Sequence, residues 1–288
     1  MARIRLDQLL TERGLARSRA EAQALIHAGA VDLGGTRRLK PGQMVATDAS
    51  VSLRERPRWA SRAGAKLEHA LESFGVNPDG LACLDAGAST GGFTDVLLSR
   101  GARIVYAVDV GRAQLLDRLK RDPRVVSMES TNLRELTQLP EPIDLATLDL
   151  SFISLGLVLP AVRNLLTDAG RIVALVKPQF EAGKESVPRG GVVRDPAVWE
   201  EVLSGLTWAA EDNGLHAYRA IRSPITGADG NVEFLVDIRA TEGDDDEMAD
   251  YVLSYVDAIH GSDQDEDEED DEEDDEEDDE DAVEGDAT

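Results

Sequence analysis

The stretch LDAGASTGGF, residues 84–93, decides the fold of this 288-residue chain. An apolar run ends at Leu84, and Asp85 then opens a turn rich in glycine. A strand followed by such a turn and a helix brings backbone N–H groups and the helix dipole close to a bound nucleotide-like ligand. The stretch therefore predicts the first strand, turn and helix of a parallel sheet with a ligand crevice at the turn.

A second carboxylate supports an adenosyl ligand at this crevice. Asp109 ends the next apolar run, 24 residues after Asp85, close to the roughly 20-residue offset at which an acidic residue reaches ribose hydroxyls. Ser89 takes the place of the second glycine of a dinucleotide fingerprint, and no lysine follows Gly92, so NAD and a phosphate-cradling loop fit less well. We expect S-adenosylmethionine, with Asp85 approaching its positively charged methionine end. The alternative is that the glycines only make a tight turn.

Apolar runs and amphipathic segments alternate along the chain from this turn onward. The predicted strands are 81–84, 103–108, 125–128, 143–148 and 171–176, and the predicted helices lie near 93–100, 112–120, 154–167 and 196–212. Such alternation is typical of a mostly parallel α/β sheet with helices on both faces. Runs at 216–222 and 232–239 flank the turn TGADGN and predict an antiparallel C-terminal hairpin. We assign residues 63–241 to this domain and 54–62 to a linker.

Residues 1–53 are predicted to form a small basic α+β module. Two short helices, the second starting at Ser18 with Glu21 completing a capping box, precede short strands at 31–33, 43–46 and 51–53. Residues 1–62 contain 12 lysines and arginines against 6 acidic residues. Such an excess is the electrostatic footprint of a polyanion-binding surface. The alternative is that scattered arginines only keep the module soluble.

The strings RLDQLL, SRAEAQALIHAG and KPGQ, with Val31, resemble an S4 RNA-binding domain. The resemblance implies RNA as the partner of the module. The basic side chains then assigned to RNA are Arg3, Arg5, Arg17, Arg19, Arg37, Arg38, Lys40 and, in the linker, Arg58. Trp59 either stacks on a base or covers the junction between the domains.

Four ionisable residues lie in apolar or strand-end settings and form the candidate catalytic group: Lys66, Asp149, Lys177 and Glu233. Asp149 and Lys177 each end an apolar run, and the C-terminal ends of parallel strands face the ligand crevice. We therefore expect the four side chains to converge. Taken singly, each is also compatible with a surface position or a structural ion pair.

These four residues suit methyl transfer to a ribose hydroxyl, which needs a base for the hydroxyl proton. A lysine pKa of about 10.4 falls by up to 3 to 5 units on burial beside a second ammonium. We expect Lys177 to accept the proton and Lys66 to supply the neighbouring charge. Asp149 and Glu233 would hold the two amines in place.

The strings SRAGAKLEHAL, DAGASTGGFTD, YAVDVG, TNLR, DLSFISL, LVKPQFEAGKE and SPITGADGNVEFL resemble the TlyA family, in the order that this family shows. The resemblance spans about residues 3–240. It implies an S4 domain joined to an FtsJ-related, Rossmann-like methyltransferase domain that uses S-adenosylmethionine to methylate cytidine 2′-hydroxyls of ribosomal RNA, 16S and/or 23S. It places the catalytic tetrad on Lys66, Asp149, Lys177 and Glu233. The implied cofactor residues are Asp85, Gly87, Ala88, Ser89, Thr90, Gly91, Gly92, Phe93, Asp109 and Asn132.

Two other functions stay open beside the enzyme. Some members of the family carry an older haemolysin label, which implies a membrane-lytic protein, although the acidic C-terminal block disfavours contact with anionic membranes. A non-catalytic RNA-binding ribosome-assembly factor is the second alternative. Residues 180–195, with Lys184 and Arg189, are predicted to be a mobile lid that contacts RNA phosphates, or else an ordinary surface loop.

The net charge of −27 comes from the end of the chain, since residues 242–288 contain 27 acidic residues and no lysine or arginine. We predict a helix over 242–261 that docks on the body and a disordered acidic tail over 262–288. The tail either resists aggregation or mimics RNA by folding onto the basic module, whereas halophilic adaptation fits poorly because the rest of the chain is neutral. With one cysteine, Cys83, and dispersed histidines, we expect no metal site and a cytoplasmic, non-membrane protein.

Overall fold

The structure is a computed structural model that describes residues 2–27, 29–34, 39–53, 58–227, 229–241, 254 and 257–260. Arg37, Arg38, residues 54–57 of the predicted linker and the predicted acidic tail lie outside the described residues. Within the described residues, no helix is both long and apolar enough to cross a bilayer.

The described residues of the N-terminal module form two helices and four very short strands. Its elements are β1 (Arg3–Arg5), α1 (Leu6–Glu12), α2 (Arg19–His27), β2 (Val31–Asp32), β3 (Met44–Ala46) and β4 (Ser52–Leu53). Strand β1 pairs antiparallel with β3, and β2 pairs antiparallel with β4. The apolar faces of α1 and α2 share one core with β2 and β3. The predicted helices are present, and the short strands form two separate pairs.

The start of α2 shows how the sequence encodes a helix end. The Ser18 hydroxyl accepts a hydrogen bond from the Glu21 N–H (3.2 Å), as a capping residue does. The Glu21 carboxylate reaches back to the N–H of Arg17 (2.7 Å). The predicted capping interaction is present, with the return bond one residue earlier than in a capping box.

The remaining elements form one mixed sheet with helices around it. They are α3 (Ala63–Ser73), β5 (Ala82–Ala86), α4 (Gly92–Ser99), β6 (Ile104–Asp109), α5 (Asp117–Lys120), β7 (Val125–Glu129), β8 (Ile143–Leu148), α6 (Leu159–Leu165), β9 (Leu166–Val176), α7 (Pro178–Glu181), α8 (Pro196–Glu211), β10 (His216–Arg222) and β11 (Phe234–Arg239). The strand order is β10-β11-β9-β8-β5-β6-β7. Strands β5 to β9 are parallel, and β11 pairs antiparallel with both β9 and β10. This confirms the predicted Rossmann-like sheet with an antiparallel C-terminal hairpin.

The two faces of this sheet carry separate apolar cores because side chains alternate along each strand. In β5, Leu84 and Ala86 join the core beneath α6 and α8, whereas Cys83 joins the core beneath α3 and α4. Cys83 therefore packs in the first strand of the sheet, and burial raises the pKa of its thiol to about 12.

Two predicted helices differ from the observed ones. The helix predicted at 112–120 is reduced to α5 at 117–120, because Ala113 (φ 53°) and Leu116 (ψ 139°) have non-helical backbone conformations. The N–H groups of residues 113–115 donate to the Glu129 side chain. The segment predicted as a helix at 154–167 is a 3-10 turn at 155–157 followed by α6.

The predicted C-terminal helix is described only in part. Residues 257–260 are helical, and Ala258 and Ile259 are buried in the core that includes β9 and β11. The N–H of Ala220, in the edge strand β10, donates to the Ser254 hydroxyl (3.0 Å). The other residues of 242–261 lie outside the described part of the chain.

Candidate active site

The glycine-rich turn after β5 packs directly against the end of the neighbouring strand β8. Gly87 and Gly91 have φ values of 86° and 97°, and Ser89 has φ 47° although it is not glycine. A Cβ on Gly87 would lie 2.3 Å from the Asp149 carbonyl oxygen, and one on Gly91 would lie 2.2 Å from a Leu119 methyl carbon. These two positions therefore require glycine for both conformation and space.

Asp85 lies beneath this turn and is fully buried. One carboxylate oxygen accepts hydrogen bonds from the Thr94 N–H (2.7 Å) and hydroxyl (2.5 Å). The other oxygen has no hydrogen-bond partner among the described residues. Burial raises the pKa of Asp85 to about 7; Thr94 opposes the shift, while the charges of Asp149 and Asp109 add to it. Asp85 lines neither of the cavities described next, which differs from the direct approach to a ligand expected from the sequence.

A cavity of about 550 Å³ opens at the carboxyl ends of the parallel strands, within the size range of small-molecule sites. Its lining includes Gly87 and Ser89 from the turn, Asp109 from the end of β6, Asn132, and Asp149 from the end of β8. A smaller pocket of about 140 Å³ shares part of this wall and extends toward α3. The predicted cofactor residues that line one or both are Gly87, Ala88, Ser89, Thr90, Gly92, Phe93, Asp109 and Asn132. Of the ten predicted, Asp85 and Gly91 line neither.

Asp109 connects the glycine turn to the loop after β6. Its two oxygens accept hydrogen bonds from the Ser89 N–H (2.8 Å) and the Gly111 N–H (2.6 Å). Asn132 accepts from the Arg134 N–H (3.2 Å) and donates to Glu135 (2.7 Å). Both polar groups are therefore held in fixed orientations at the cavity wall.

The Glu129 side chain holds another part of this cavity wall in place, and this role was not predicted from the sequence. Its carboxylate accepts hydrogen bonds from the N–H groups of Ala113 (3.0 Å), Gln114 (2.8 Å) and Leu115 (3.1 Å) and from the Lys120 amine (3.1 Å). These donors, the Leu115 N–H first, lower the pKa of Glu129 to about 2. Gln114 lines the cavity, and its N–H donates to Glu129. Glu129 therefore fixes the position of a lining residue. A carboxylate at the end of an apolar run is the signal that identified Asp109, and it also marks Glu129.

The predicted catalytic residues form two lysine–carboxylate pairs. The Lys177 amine lies 2.6 Å from an Asp149 carboxylate oxygen and donates to the Ser151 hydroxyl at 3.0 Å. The Lys66 amine donates to the Glu233 carboxylate. Both lysines are mostly buried, with 11% of the Lys177 side chain and 10% of the Lys66 side chain exposed.

Sheet topology explains why residues so far apart in sequence meet at one edge. Asp149 follows β8 and Lys177 follows β9, the next strand in the sheet. Glu233 precedes β11, whose first residue pairs with the last residue of β9. An antiparallel strand begins where its parallel neighbour ends, so Glu233 reaches the same edge, and Lys66 joins it from α3.

Each pair also contacts another part of the site. Asp149 lines both cavities, so the Lys177 amine is one salt bridge away from the cavity wall. A Cβ on Gly227 would lie 2.6 Å from Glu233 Oε1, which shows that the hairpin turn lies against this carboxylate. The arrangement can hold a nucleoside-like ligand and present a lysine amine to a group beside it.

The predicted lid segment is fixed near its C-terminal end. The Asn231 side chain accepts from the Val193 N–H (2.9 Å) and donates to the Gly191 carbonyl (2.9 Å). Lys184 and Arg189, earlier in the segment, are exposed to solvent. Motion of this segment therefore remains a prediction for the part before Gly191.

The predicted RNA-binding side chains of the module and linker differ in their surroundings. Arg17 and Lys40 are exposed, and the exposed Arg3 guanidinium donates to the Met44 carbonyl at 2.9 Å. Arg5 and Arg19 share a salt-bridge partner in Asp7.

The linker residues Arg58 and Trp59 contact the methyltransferase-like domain. Arg58 forms a salt bridge with Glu68 (2.8 Å) and stacks on the Trp59 ring. A Cβ on Gly64 would lie 2.4 Å from the Trp59 Cβ, and the indole N–H donates to Glu68 at 3.2 Å. Trp59 therefore packs on α3, and its two expected roles, stacking on a base and covering the junction between the domains, stay predictions.

The chain is similar to known proteins along most of its length. The FtsJ-like methyltransferase model matches residues 59–240, and the S4 domain model matches residues 4–51. The 16S/23S rRNA (cytidine-2'-O)-methyltransferase TlyA of Mycobacterium tuberculosis is 47% identical over 82% of this chain and 90% of its own length. Hemolysin A of Brachyspira hyodysenteriae is 38% identical over 81% of this chain and 98% of its own length. A solved structure described as "Putative hemolysin from Streptococcus thermophilus" superposes with a TM-score of 0.66 at 39% identity, covering 92% of this chain and all of that one.

Proposed function

Because the chain belongs to the TlyA family of FtsJ-like methyltransferases, we propose that it methylates the ribose 2′-hydroxyl of a cytidine in 16S and/or 23S ribosomal RNA, using S-adenosylmethionine. The observation that carries this proposal is the Lys177–Asp149 pair at the wall of the nucleoside-sized cavity. A methyltransferase that acts on an alcohol needs a group that can take its proton beside the cofactor, and this pair is placed to supply it.

The cavity at the glycine turn has the features that S-adenosylmethionine requires. Gly87 brings backbone against the end of β8 without a side chain, and Asp109 and Asn132 present polar groups for a ribose and its base. Asp85 lies beneath the glycine turn, outside the cavity lining, and when its carboxyl is ionised its charge favours a cation in the cavity. When bound, the cofactor supplies an electrophilic methyl group on a sulfonium.

Lys177 is the proposed proton acceptor: its ammonium first releases a proton to solvent, and the neutral amine then takes the proton of the ribose hydroxyl. Asp149 and Ser151 both contact its amine, so the direction of Nζ is fixed before a substrate arrives. The Lys66–Glu233 pair lies at the same sheet edge and adds a second positive charge held by a carboxylate. Holding the hydroxyl and the methyl donor in line removes entropy that the reaction in solution would lose.

The N-terminal module and the exposed Lys184 and Arg189 are proposed to contact RNA phosphates. The S4 match covers most of the module, and phosphate contacts from such a surface supply affinity without reading sequence. The choice of cytidine would then come from RNA shape and an exposed base, which proteins read more readily than paired RNA.

The two alternative functions predict different results. A membrane-lytic protein would release dye from liposomes without cofactor. A non-catalytic assembly factor would bind RNA but not S-adenosylmethionine, although both pairs of the candidate site and the cavity beside them are intact. Liposome leakage and calorimetric titration with the cofactor therefore separate the three functions.

Lys177→Met is the variant that tests the proposed reaction. We expect transfer of a labelled methyl group to ribosomal RNA to fall by about 10²- to 10⁴-fold, the usual contribution of a general base. Cofactor affinity and RNA affinity of the same variant should stay close to wild type, because the lost amine is not proposed to provide either. Labelling within about twofold of wild type would rule out Lys177 as the base.

A further inference from the structure

Asp7 is a buried carboxylate that holds two of the module's arginines. Its side chain is 0% exposed, while those of Arg5 and Arg19 are 43% and 57% exposed. Arg5 donates through Nε (3.0 Å) and a terminal nitrogen (2.8 Å), and Arg19 donates at 3.2 Å. Gln23 adds a fourth hydrogen bond at 3.0 Å. Residues from β1, α1 and α2 are thereby joined at one point.

The loop between β2 and β3 supports the Arg5 guanidinium on another side. A Cβ on Gly42 would lie 3.2 Å from a terminal nitrogen of Arg5, so the guanidinium lies close to the loop backbone. A guanidinium has five N–H donors, and Asp7 takes two of those of Arg5. Donors are therefore left on both arginines for a second anion.

The charge of Asp7 is permanent in the folded module. The Arg5 hydrogen bonds, with smaller contributions from Gln23 and Arg19, hold the pKa of Asp7 well below its usual range despite burial. The cluster of one carboxylate and two guanidinium groups carries a net charge of +1, which matches a phosphodiester. Fixing two long side chains before binding also lowers the entropy lost when they contact a ligand.

Resting on the proposed action on RNA, we propose that Asp7 is a positioning residue that holds Arg5 and Arg19 as a two-armed site for one RNA phosphate. This role predicts that a variant with more positive charge binds RNA more weakly. Replacing Asp7 by Asn makes the module more basic by one unit, so a surface that works by charge alone would bind RNA more tightly. A positioned pair of arginines would instead bind RNA more weakly.

The test compares Asp7→Asn with Asp48→Asn in the full-length protein. Asp48 is exposed in the same module, so its replacement changes the net charge equally without touching the arginines. With purified 23S ribosomal RNA in a filter-binding assay, we expect Asp48→Asn to bind as well as wild type or better. We expect Asp7→Asn to bind about tenfold more weakly, since hydrogen bonds between charged groups are lost, and the salt dependence of log K to decrease by about one unit.

Steady-state kinetics distinguish weaker RNA binding from a general structural defect of the Asp7→Asn variant. The KM for RNA should rise in Asp7→Asn while kcat at saturating RNA and cofactor affinity stay unchanged. Equal RNA affinity of Asp7→Asn and Asp48→Asn would overturn the proposal. Failure of the wild type to bind or methylate the RNA would instead overturn the proposed function, so the two failures are distinguishable.

A second variant keeps the test valid if Asp7→Asn does not fold. Arg5→Lys retains the charge and an ion pair to Asp7 but loses the two-point contact. Its matched control is Arg13→Lys, because Arg13 is an exposed arginine of the same module that donates to the Thr47 carbonyl. We expect weaker RNA binding only for Arg5→Lys, and equal binding by both variants would contradict the positioned pair.

Discussion

Asp7 in the N-terminal module and Asp85 in the methyltransferase domain are both fully buried, yet their carboxyl groups are affected in opposite directions. Two arginines contact Asp7, and its pKa lies well below the usual range. Asp85 contacts Thr94 and no cation among the described residues, and burial raises its pKa to about 7. Burial alone therefore does not determine the charge of a carboxyl group. The module keeps a buried charge that orients cations, whereas the carboxyl beneath the glycine turn is easily protonated.

The largest expected effect concerns the stability of the domain that contains Asp85. The pKa of Asp85 is about 7 in the folded state against 3.8 for the free side chain. Between about pH 4 and pH 7 the native state therefore binds more protons than the unfolded state. The contribution of Asp85 to the free energy of unfolding therefore decreases as pH rises from about 4 to 7, by up to about 4 kcal/mol. Asp85→Asn removes this dependence, and urea unfolding at pH 5 to 8 should show the variant gaining stability relative to wild type as pH rises. A difference independent of pH would contradict the raised pKa.

Asp7→Asn is the control for this measurement. The folded-state pKa of Asp7 is depressed, so its stabilising contribution is fully present above the unfolded value and is lost only as pH falls below about 4. Its effect on unfolding should be constant between pH 5 and 8. Parallel pH profiles for the Asp7 and Asp85 variants would remove the contrast between the two regions.

A third carboxylate sharpens the comparison, because Glu129 is held mainly by backbone N–H groups rather than arginines. Glu129→Gln replaces one acceptor oxygen by a donor that faces the N–H groups of residues 113–115. We expect the cavity wall to loosen and affinity for S-adenosylhomocysteine, measured by calorimetry, to fall about tenfold. RNA affinity should not change. Loss of both affinities together would indicate general unfolding instead.

The smallest expected effect comes from Ala113, in the loop that Glu129 holds. Its φ of 53° is a left-handed conformation that is costly for a residue with a Cβ. Ala113→Gly should raise the free energy of unfolding by about 0.5 kcal/mol. Ala209→Gly, within helix α8, is the matched control and should lower it by about 1 kcal/mol. A loss of stability in Ala113→Gly would show that the loop is not strained.

The strands of the large sheet and the ends that carry Asp109, Asp149 and Lys177 were predictable from the sequence. Strands β6, β8 and β9 are apolar runs followed by or ending in a polar residue, and the runs are continuous because these central strands are buried on both faces. The contact between Lys177 and Asp149 follows from the parallel order of β8 and β9. The hydrogen bond from the Lys177 amine to Ser151 could not be predicted from the sequence.

Other features depend on contacts that no local pattern reveals. Strand β1 consists of Arg3–Arg5 and has a single apolar residue, Ile4, which is too short a pattern to predict a strand. Its pairing with β3, far along the chain, makes it one. The N-terminal part of the helix predicted at 112–120 is absent because Ala113 and Leu116 have non-helical backbone conformations, in a loop that Glu129 holds. The arginines of the module were assigned by charge, but Asp7 and Glu68 determine how Arg5 and Arg58 are oriented.

The most direct test of the central claim is to identify the nucleoside that is modified. Ribosomal RNA is incubated with the purified protein and labelled S-adenosylmethionine, digested to nucleosides and separated by chromatography. The Lys177–Asp149 pair predicts label on a ribose hydroxyl, and the similarity to TlyA relatives predicts cytidine as the nucleoside. We therefore expect label in 2′-O-methylcytidine, absent when Lys177→Met replaces the wild type. Label on a base-methylated nucleoside, or equal label in 2′-O-methylcytidine with the variant, would contradict it.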